Sequence, residues 1–265
     1  MRELKSSILL YFHYVKIHIQ SIMQYKVSFL LTAIGQFFIS FNVFLGLFFM
    51  FQRFSNVEGF GYSEVILCFG IFLLEFSLAE AISRGLDLFP SMVRKGEFDR
   101  VLVRPRNEIL QVLGSKFELT RIVRMLQAVV MFFYGVHGCE VQWNLLKVLT
   151  IIFMLIGGFL LFSGIFLIYA ALSFFTLEGL EFMNAFTDGA REFGKYPFSI
   201  YGKRLMQFTT FVIPYTLVQY YPLLYIIGRS DNIGYAFLPL LTSLFLIPCY
   251  CLWRFGVRHY QSSGS

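Results

Sequence analysis

The residues whose types could support chemistry are scattered. His13, His18, His137 and His259 stand far apart, and neither H-E-x-x-H nor G-x-S-x-G occurs. Metal-assisted and acyl-transfer hydrolysis therefore both lack their residues. No G-x-x-x-x-G-K-[ST] loop is present to cradle a nucleotide phosphate. Of the cysteines, Cys68, Cys249 and Cys251 fall in apolar stretches and Cys139 does not. The Cys249-x-Cys251 pair is too close for a relaxed disulfide and lacks two further ligands for zinc. What stands out is ionisable groups in apolar surroundings. Glu75 and Glu80 interrupt one long apolar run. Over 173–195, Glu178, Glu181, Asn184, Asp188 and Arg191 form a polar stripe beside an aromatic one of Phe175, Phe182, Phe186 and Phe193. A charge near the centre of a bilayer costs about 2.5–3.5 kcal/mol by insertion scales. Such groups either line a polar path, meet a partner subunit, or belong to a surface helix.

The elements that must position them follow from composition. The chain has 265 residues, 57% hydrophobic and only 14% charged, with a mean hydropathy of +0.66. So few charges cannot clothe a water-facing surface. This excludes a soluble enzyme, a secreted disulfide scaffold and a disordered linker, and predicts an all-α polytopic membrane protein. Residues 1–26 lack the apolar core and cleavage site of a signal peptide. Uncharged runs predict one permease domain over 27–256, with spans at about 27–52, 62–82, 119–137, 148–171 and 232–253. The fifth crossing is either 173–195 or 205–228. Pro214 and Pro222 make the latter a kinked span or a re-entrant hairpin. The span at 119–137 is short unless Arg121 and Arg124 snorkel to the headgroups. Gly157, Gly164 and Ala171, seven apart, form a face for close helix contact. Thr32, Gln36 and Ser40 line one face of the first span as interhelical hydrogen-bonding groups.

Basic residues orient the chain. Arg2, Lys5, Lys16 and Lys26 precede the first span, and Arg84, Arg94, Lys95, Arg100, Arg104, Arg106, Lys116, Arg121 and Arg124 follow the second. Arg254 and Arg258 follow the last, against Arg53, Lys147 and Arg229 on the other side, with Arg191, Lys195, Lys203 and Arg204 in the ambiguous segment. The positive-inside rule then places both termini in the cytoplasm, with six transmembrane helices. The net charge of +6 reads as an orientation signal, with no nucleic-acid partner expected. Leu4, Ile8, Tyr11, Val15, Ile19 and Ile22 recur at helical spacing and predict an amphipathic interfacial helix over 1–26.

Residues 83–118 form a cytoplasmic coupling loop. Leu86, Phe89, Met92 and Val93 make an apolar stripe on a short helix that Gly96 ends. Rimmed by Arg84, Asp87, Arg94, Asp99 and Arg104, this ridge suits docking into a groove on a partner. The alternative is a loop packed only on its own helix ends.

Four pieces then resemble one family. They are Gly96-x-x-Asp99-x-x-Leu102-x-Arg104-Pro105 and Tyr196-Pro197-x-x-Ile200-Tyr201, then Ile213-Pro214 with Pro222 and Gly228. The fourth is Trp253-x-x-Gly256-x-Arg258-x-Tyr260-x-Ser262-x-Gly264. In this order the chain resembles the six-span permease subunits of bacterial ABC-2 type ABC transporters. The resemblance implies an exporter subunit in the bacterial plasma membrane, with re-entrant outer helices before the last span and 257–265 as a cytoplasmic tail. It implies a second permease subunit and a cytoplasmic ABC ATPase dimer as partners. ATP and Mg would bind that dimer, with no cofactor and no catalytic residue on this chain. It makes 173–195 the polar span and 205–228 the re-entrant hairpin. Coupling would run through Arg84, Leu86, Asp87, Phe89, Met92, Val93, Arg94, Gly96, Asp99 and Arg104. The translocation path would include Glu75, Glu80, Glu178, Glu181, Asn184, Asp188 and Arg191. Two other readings stay open: a membrane anchor or sensor that recruits a cytoplasmic partner, and an integral membrane enzyme modifying lipids.

Overall fold

The computed structural model describes residues 2–176 and 183–262. Among the described residues the regular elements are helical, apart from a single bridge between Val57 and Phe60. Helix α1 covers Arg2–Gln24 and α2 covers Lys26–Arg53, with Tyr25 between them. Helix α3 covers Tyr62–Asp87. Three short helices follow: α4 (Phe89–Arg94), α5 (Phe98–Leu102) and α6 (Glu108–Gly114). Helices α7 (Arg121–Gly138) and α8 (Leu145–Leu172) return to long elements. Helix α9 covers Asn184–Phe193, followed by α10 (Lys203–Phe211), α11 (Tyr215–Val218) and α12 (Tyr220–Ile226). A 3-10 stretch over Leu238–Phe245 runs into α13, Leu246–His259.

Local chemistry sets several boundaries. The Glu64 carboxylate accepts the Gly61 N–H at 2.8 Å and opens α3. Asn107 and Asn144 accept the Leu110 and Lys147 N–H groups and open α6 and α8. Gly96 closes α4 at φ +67°. There the Glu97 and Gly96 N–H groups reach the Met92 and Val93 carbonyls, both at 3.0 Å, in a Schellman arrangement that needs a residue tolerant of positive φ.

The chain termini share one end of the bundle: Arg106 donates to Ser6, and Arg254 pairs with Glu108. From this termini end α2 leads away, α3 returns, α7 leads away and α8 returns. Helix α3 is the centre. It lies against α7 so closely that a β-carbon on Gly135 would stand 2.7 Å from Leu67 Cα, and one on Gly70 would stand 2.9 Å from the Phe132 nitrogen. Glycine on both helices is what permits this approach. Helix α8 packs on the other side of α3, with Gly158 against the Glu75 carboxyl. The small face of α8 receives the last element: Gly157 meets Pro239, Gly164 meets Phe245 and Leu246, and the Ala171 carbonyl approaches Gly256.

Among the described residues, four segments are long and apolar enough to cross a membrane: Lys26–Arg53, Tyr62–Arg94, Leu145–Leu172 and Leu238–His259. Helix α7 has 18 residues, about 27 Å at 1.5 Å per residue, but carries Arg121 and Arg124. The passage between α8 and α13 is broken. Gly194, just past α9, packs on the Phe72 ring near the middle of α3. The chain then turns aside through Phe198–Tyr201 and α10, and returns where the Tyr215 ring stacks on Phe198 at 6.0 Å. Helices α11 and α12 carry it on to the far end, where Arg229 meets Glu64 and the Gly59 carbonyl. Residues 205–228 are thus not one continuous helix, and among the described residues of 173–195 the α-helix is Asn184–Phe193. Pro197 and Pro214 flank the detour, each lacking the N–H that a through-going helix would use.

Candidate functional site

Among the described residues, the buried carboxylates and guanidinium of the bundle, Glu75, Glu80 and Arg124, form two features. The first joins α2, α3 and α7. Arg124 Nη1 donates to Glu80 Oε2 at 2.7 Å, and Arg121 Nη2 lies 3.2 Å from Glu80 Oε1. Gln36 Oε1 accepts from both arginines at 2.9 Å. Glu80 is 6% exposed and Arg124 3%, so the headgroup-reaching posture expected of Arg121 and Arg124 is corrected. Both point inward, because Glu80 on the neighbouring helix offers a carboxylate that lipid cannot. Gln36 makes the interhelical contact its face predicts, and buried Ser40 lies beside it. Thr32 bonds only within its own helix, to the Ser28 carbonyl.

The second feature is Glu75, one turn and a half along α3. It is 1% exposed, and its Oε1 has no hydrogen-bond partner. A buried carboxyl oxygen left unpartnered is costly and uncommon. Next to these groups lies a cavity of about 50 Å³, lined by Ser40, Leu73, Arg124, Glu192 and Lys195 among others. Lys195, half-buried, pairs with the exposed Glu192 at the mouth of this cavity. A further joint was not legible in the sequence: buried Gln219 donates to the Cys68 and Gly194 carbonyls at 3.2 and 3.1 Å, pinning the broken passage to α3. Glu178 and Glu181 lie outside the described residues, as do the side chains of Asn184, Asp188 and Arg191.

At the termini end, α4 to α6 form a plate under α3, α8 and α13. Its centre is aromatic. Phe89 meets Phe98 at 4.9 Å, Trp253 at 5.0 Å and Phe174 at 5.2 Å, and Tyr260 covers Phe98 at 5.2 Å. Asp99 accepts from the Tyr260 hydroxyl at 3.0 Å and the Ser262 hydroxyl at 2.6 Å. Burial and the bond to Asp99 both push the Tyr260 hydroxyl above its ordinary range, so it remains a donor. The loop motif around Gly96–Asp99 and the C-terminal motif around Trp253–Ser262 therefore meet in one place.

This corrects the expected docking ridge. Leu86, Phe89 and Val93 are buried in the chain's own core and Met92 is half-buried. Phe174, just past α8, and Trp253 on α13 cover the stripe first. What α4 turns outward is Leu88, Ser91, Arg94 and Lys95. Arg84 pairs with Asp87 within the α3 turn. Exposed Arg104 lines a separate cavity beside α1. Helix α1 docks on α6, with Tyr14 against Gly114 and His18 Nε2 3.0 Å from the Gly114 carbonyl. The Tyr11 hydroxyl, pushed up to about 12 by burial, donates to the Ile82 carbonyl.

Apolar helices wrapped around a buried polar core, with a charged plate at one end, define a polytopic α-helical membrane protein. The family model described as "ABC-2 family transporter protein" matches residues 37–264, and the chain belongs to that family. It is a membrane component of a transporter and not itself catalytic. No curated protein and no solved structure matches the chain.

Proposed function

We propose that the chain is the permease subunit of an ATP-driven exporter in a bacterial plasma membrane, working with a second permease and a cytoplasmic ATPase dimer. The observation that carries this reading is the construction of the plate. Phe89, Phe98, Phe174, Trp253 and Tyr260 interlock the loop with the ends of α3, α8 and α13, and Asp99 ties it to the C-terminal strand of chain. A push on α4 therefore reaches three long helices without passing through a flexible joint. The ATPase would engage the outward face of α4, Leu88, Ser91, Arg94 and Lys95. The interlocked aromatic side chains behind it serve as positioning residues, and Gly96 fixes the corner.

In this reading the termini lie in the cytoplasm, residues 1–26 lie along the membrane surface and 83–118 is the coupling segment. Six crossings result if α9 and α11–α12 share the fifth, with α10 as a side excursion between its halves. Closure of the ATPases rocks the bundle about the polar core at Glu75, Glu80 and Arg124, alternating the face to which it opens. Coupling is reciprocal, so substrate binding changes ATPase turnover in return. An unpartnered Glu75 gains polar neighbours when the path opens, which supplies a reason for its cost.

Co-expression with candidate ATPases from neighbouring genes tests the reading. The expected outcome is a stable complex whose export is vanadate-sensitive. Lys95→Glu with Arg94→Glu should cut substrate-stimulated ATP hydrolysis at least tenfold while the permease still inserts. A complex that forms and hydrolyses ATP without any export would favour the anchor or sensor reading instead.

A further inference from the structure

A cavity of about 380 Å³ lies between α1 and the plate, away from the outward face of α4. One wall is basic: Arg100 and Arg104, four residues apart, are exposed, and among the described residues neither makes a hydrogen bond or ion pair. The floor holds Gln111, 5% exposed, whose amide nitrogen donates to the Val101 and Arg106 carbonyls. Its Oε1 is buried without a hydrogen-bond partner, and the residue is among those that line the cavity. The rim is apolar, with Ile17 and Met92. The α1 surface carries Leu9, Phe12 and Ile17, exposed to 72%, 65% and 52%.

These groups specify a ligand with three parts. Two unpaired guanidinium groups on one wall suit a phosphate, for which arginine forks are well shaped. A buried amide oxygen without a partner needs a donor, and an anion offers none, so the group beyond the phosphate must carry a hydroxyl. Exposed Glu97, also on the wall, is a second acceptor for such hydroxyls. An apolar rim continuous with the exposed apolar side of a surface helix suits an acyl chain. We propose that this cavity binds the headgroup of an anionic glycerol-type phospholipid, its phosphate on Arg100 and Arg104 and a glycerol hydroxyl on Gln111. One bound lipid would then cement α1 to the plate. The inference rests on the membrane placement of α1 but not on any ATPase.

The test is native mass spectrometry of the full chain in detergent, offered equal amounts of phosphatidylglycerol, phosphatidic acid and phosphatidylcholine. The expected result is one retained phosphatidylglycerol, preferred at least tenfold over phosphatidylcholine and several-fold over phosphatidic acid, which lacks the headgroup hydroxyls. Arg100→Gln with Arg104→Gln should lower that retention about tenfold and leave phosphatidylcholine unchanged. Both side chains are exposed, so an unchanged melting temperature verifies folding. Equal retention of the three lipids, or unchanged retention in the double variant, would overturn the proposal. Soluble glycerol 1-phosphate binding as tightly as the lipid would also overturn it, since the site would then be for a free phosphate ester. The lipid measurement contains no ATPase, so failure of the exporter reading leaves its outcome intact.

Discussion

Helices α2 and α3 have nearly the same length and similar mean hydropathy, 1.9 and 2.2 over their most apolar stretches, yet only 11% of the first stretch is buried in the chain against 83% of the second. Apolar content alone therefore says that a segment crosses a membrane and nothing about what it faces. The difference lies in the residues that break the apolar pattern. Helix α3 carries Gly70, Glu75, Glu80 and Gly85, each with a place waiting on a neighbour. Helix α2 carries Gly35 and Gly46, where an added β-carbon would meet nothing within 4 Å. Small and charged residues in α3 are bearings and anchors. On α2, Gln36 and Ser40 mark the one strip that touches the bundle, and Leu31, Phe38 and Phe49 face outward.

The largest break in this contrast should come from Glu80→Ala. It leaves Arg124 buried without its carboxylate, which costs about 3–5 kcal/mol. The purified chain should melt much lower or fail to accumulate, whereas Glu80→Gln should fall between it and the parent. Next comes Gly135→Val, whose β-carbon would collide with the Leu67 backbone. Overpacking of this kind costs about 1–3 kcal/mol or more, and thermal melting in detergent would read it. On α2 the signs differ. Gly35→Ala should be neutral or stabilising by up to about 1 kcal/mol, the helix-propensity gain, since nothing obstructs the methyl group. Smallest of all, Phe38→Ala on the outward face should change melting within about 0.5 kcal/mol. A large loss at Phe38 would mean that α2 carries an interface along its outward side.

The sequence made the long helices and the closure of α4 at Gly96 legible, because uncharged runs and a glycine after a periodic stripe are local signals. The Gly157–Gly164–Ala171 face was legible for the same reason: a spacing of seven keeps residues on one side of a helix. The partner of Glu80 was not, since Arg121 and Arg124 sit at a helix start, where snorkelling and pairing look identical until α7 is laid beside α3. One signal was available: a carboxylate inside an apolar run needs a cation, and the next helix in the chain offers two. The ridge on α4 misled because an apolar stripe does not say whose aromatic side chains cover it. Here Trp253, far along the chain, takes the place that a partner groove would have filled. The stretch between α8 and α13 was ambiguous because its described residues form several short helices, and the joint at Gln219 is a single amide whose contacts are long-range.

The most direct test of the account follows the least-satisfied group of the hub. In a chain whose Cys68, Cys139, Cys249 and Cys251 are replaced by serine or alanine, Glu75→Cys would be labelled with a membrane-impermeant thiol reagent, with and without vanadate trapping of the partner ATPase. The account predicts a cysteine protected in one state and labelled at least tenfold faster in the other, as the bundle opens around α3. Position 75 equally protected in both states, while the assembled transporter still exports, would contradict it.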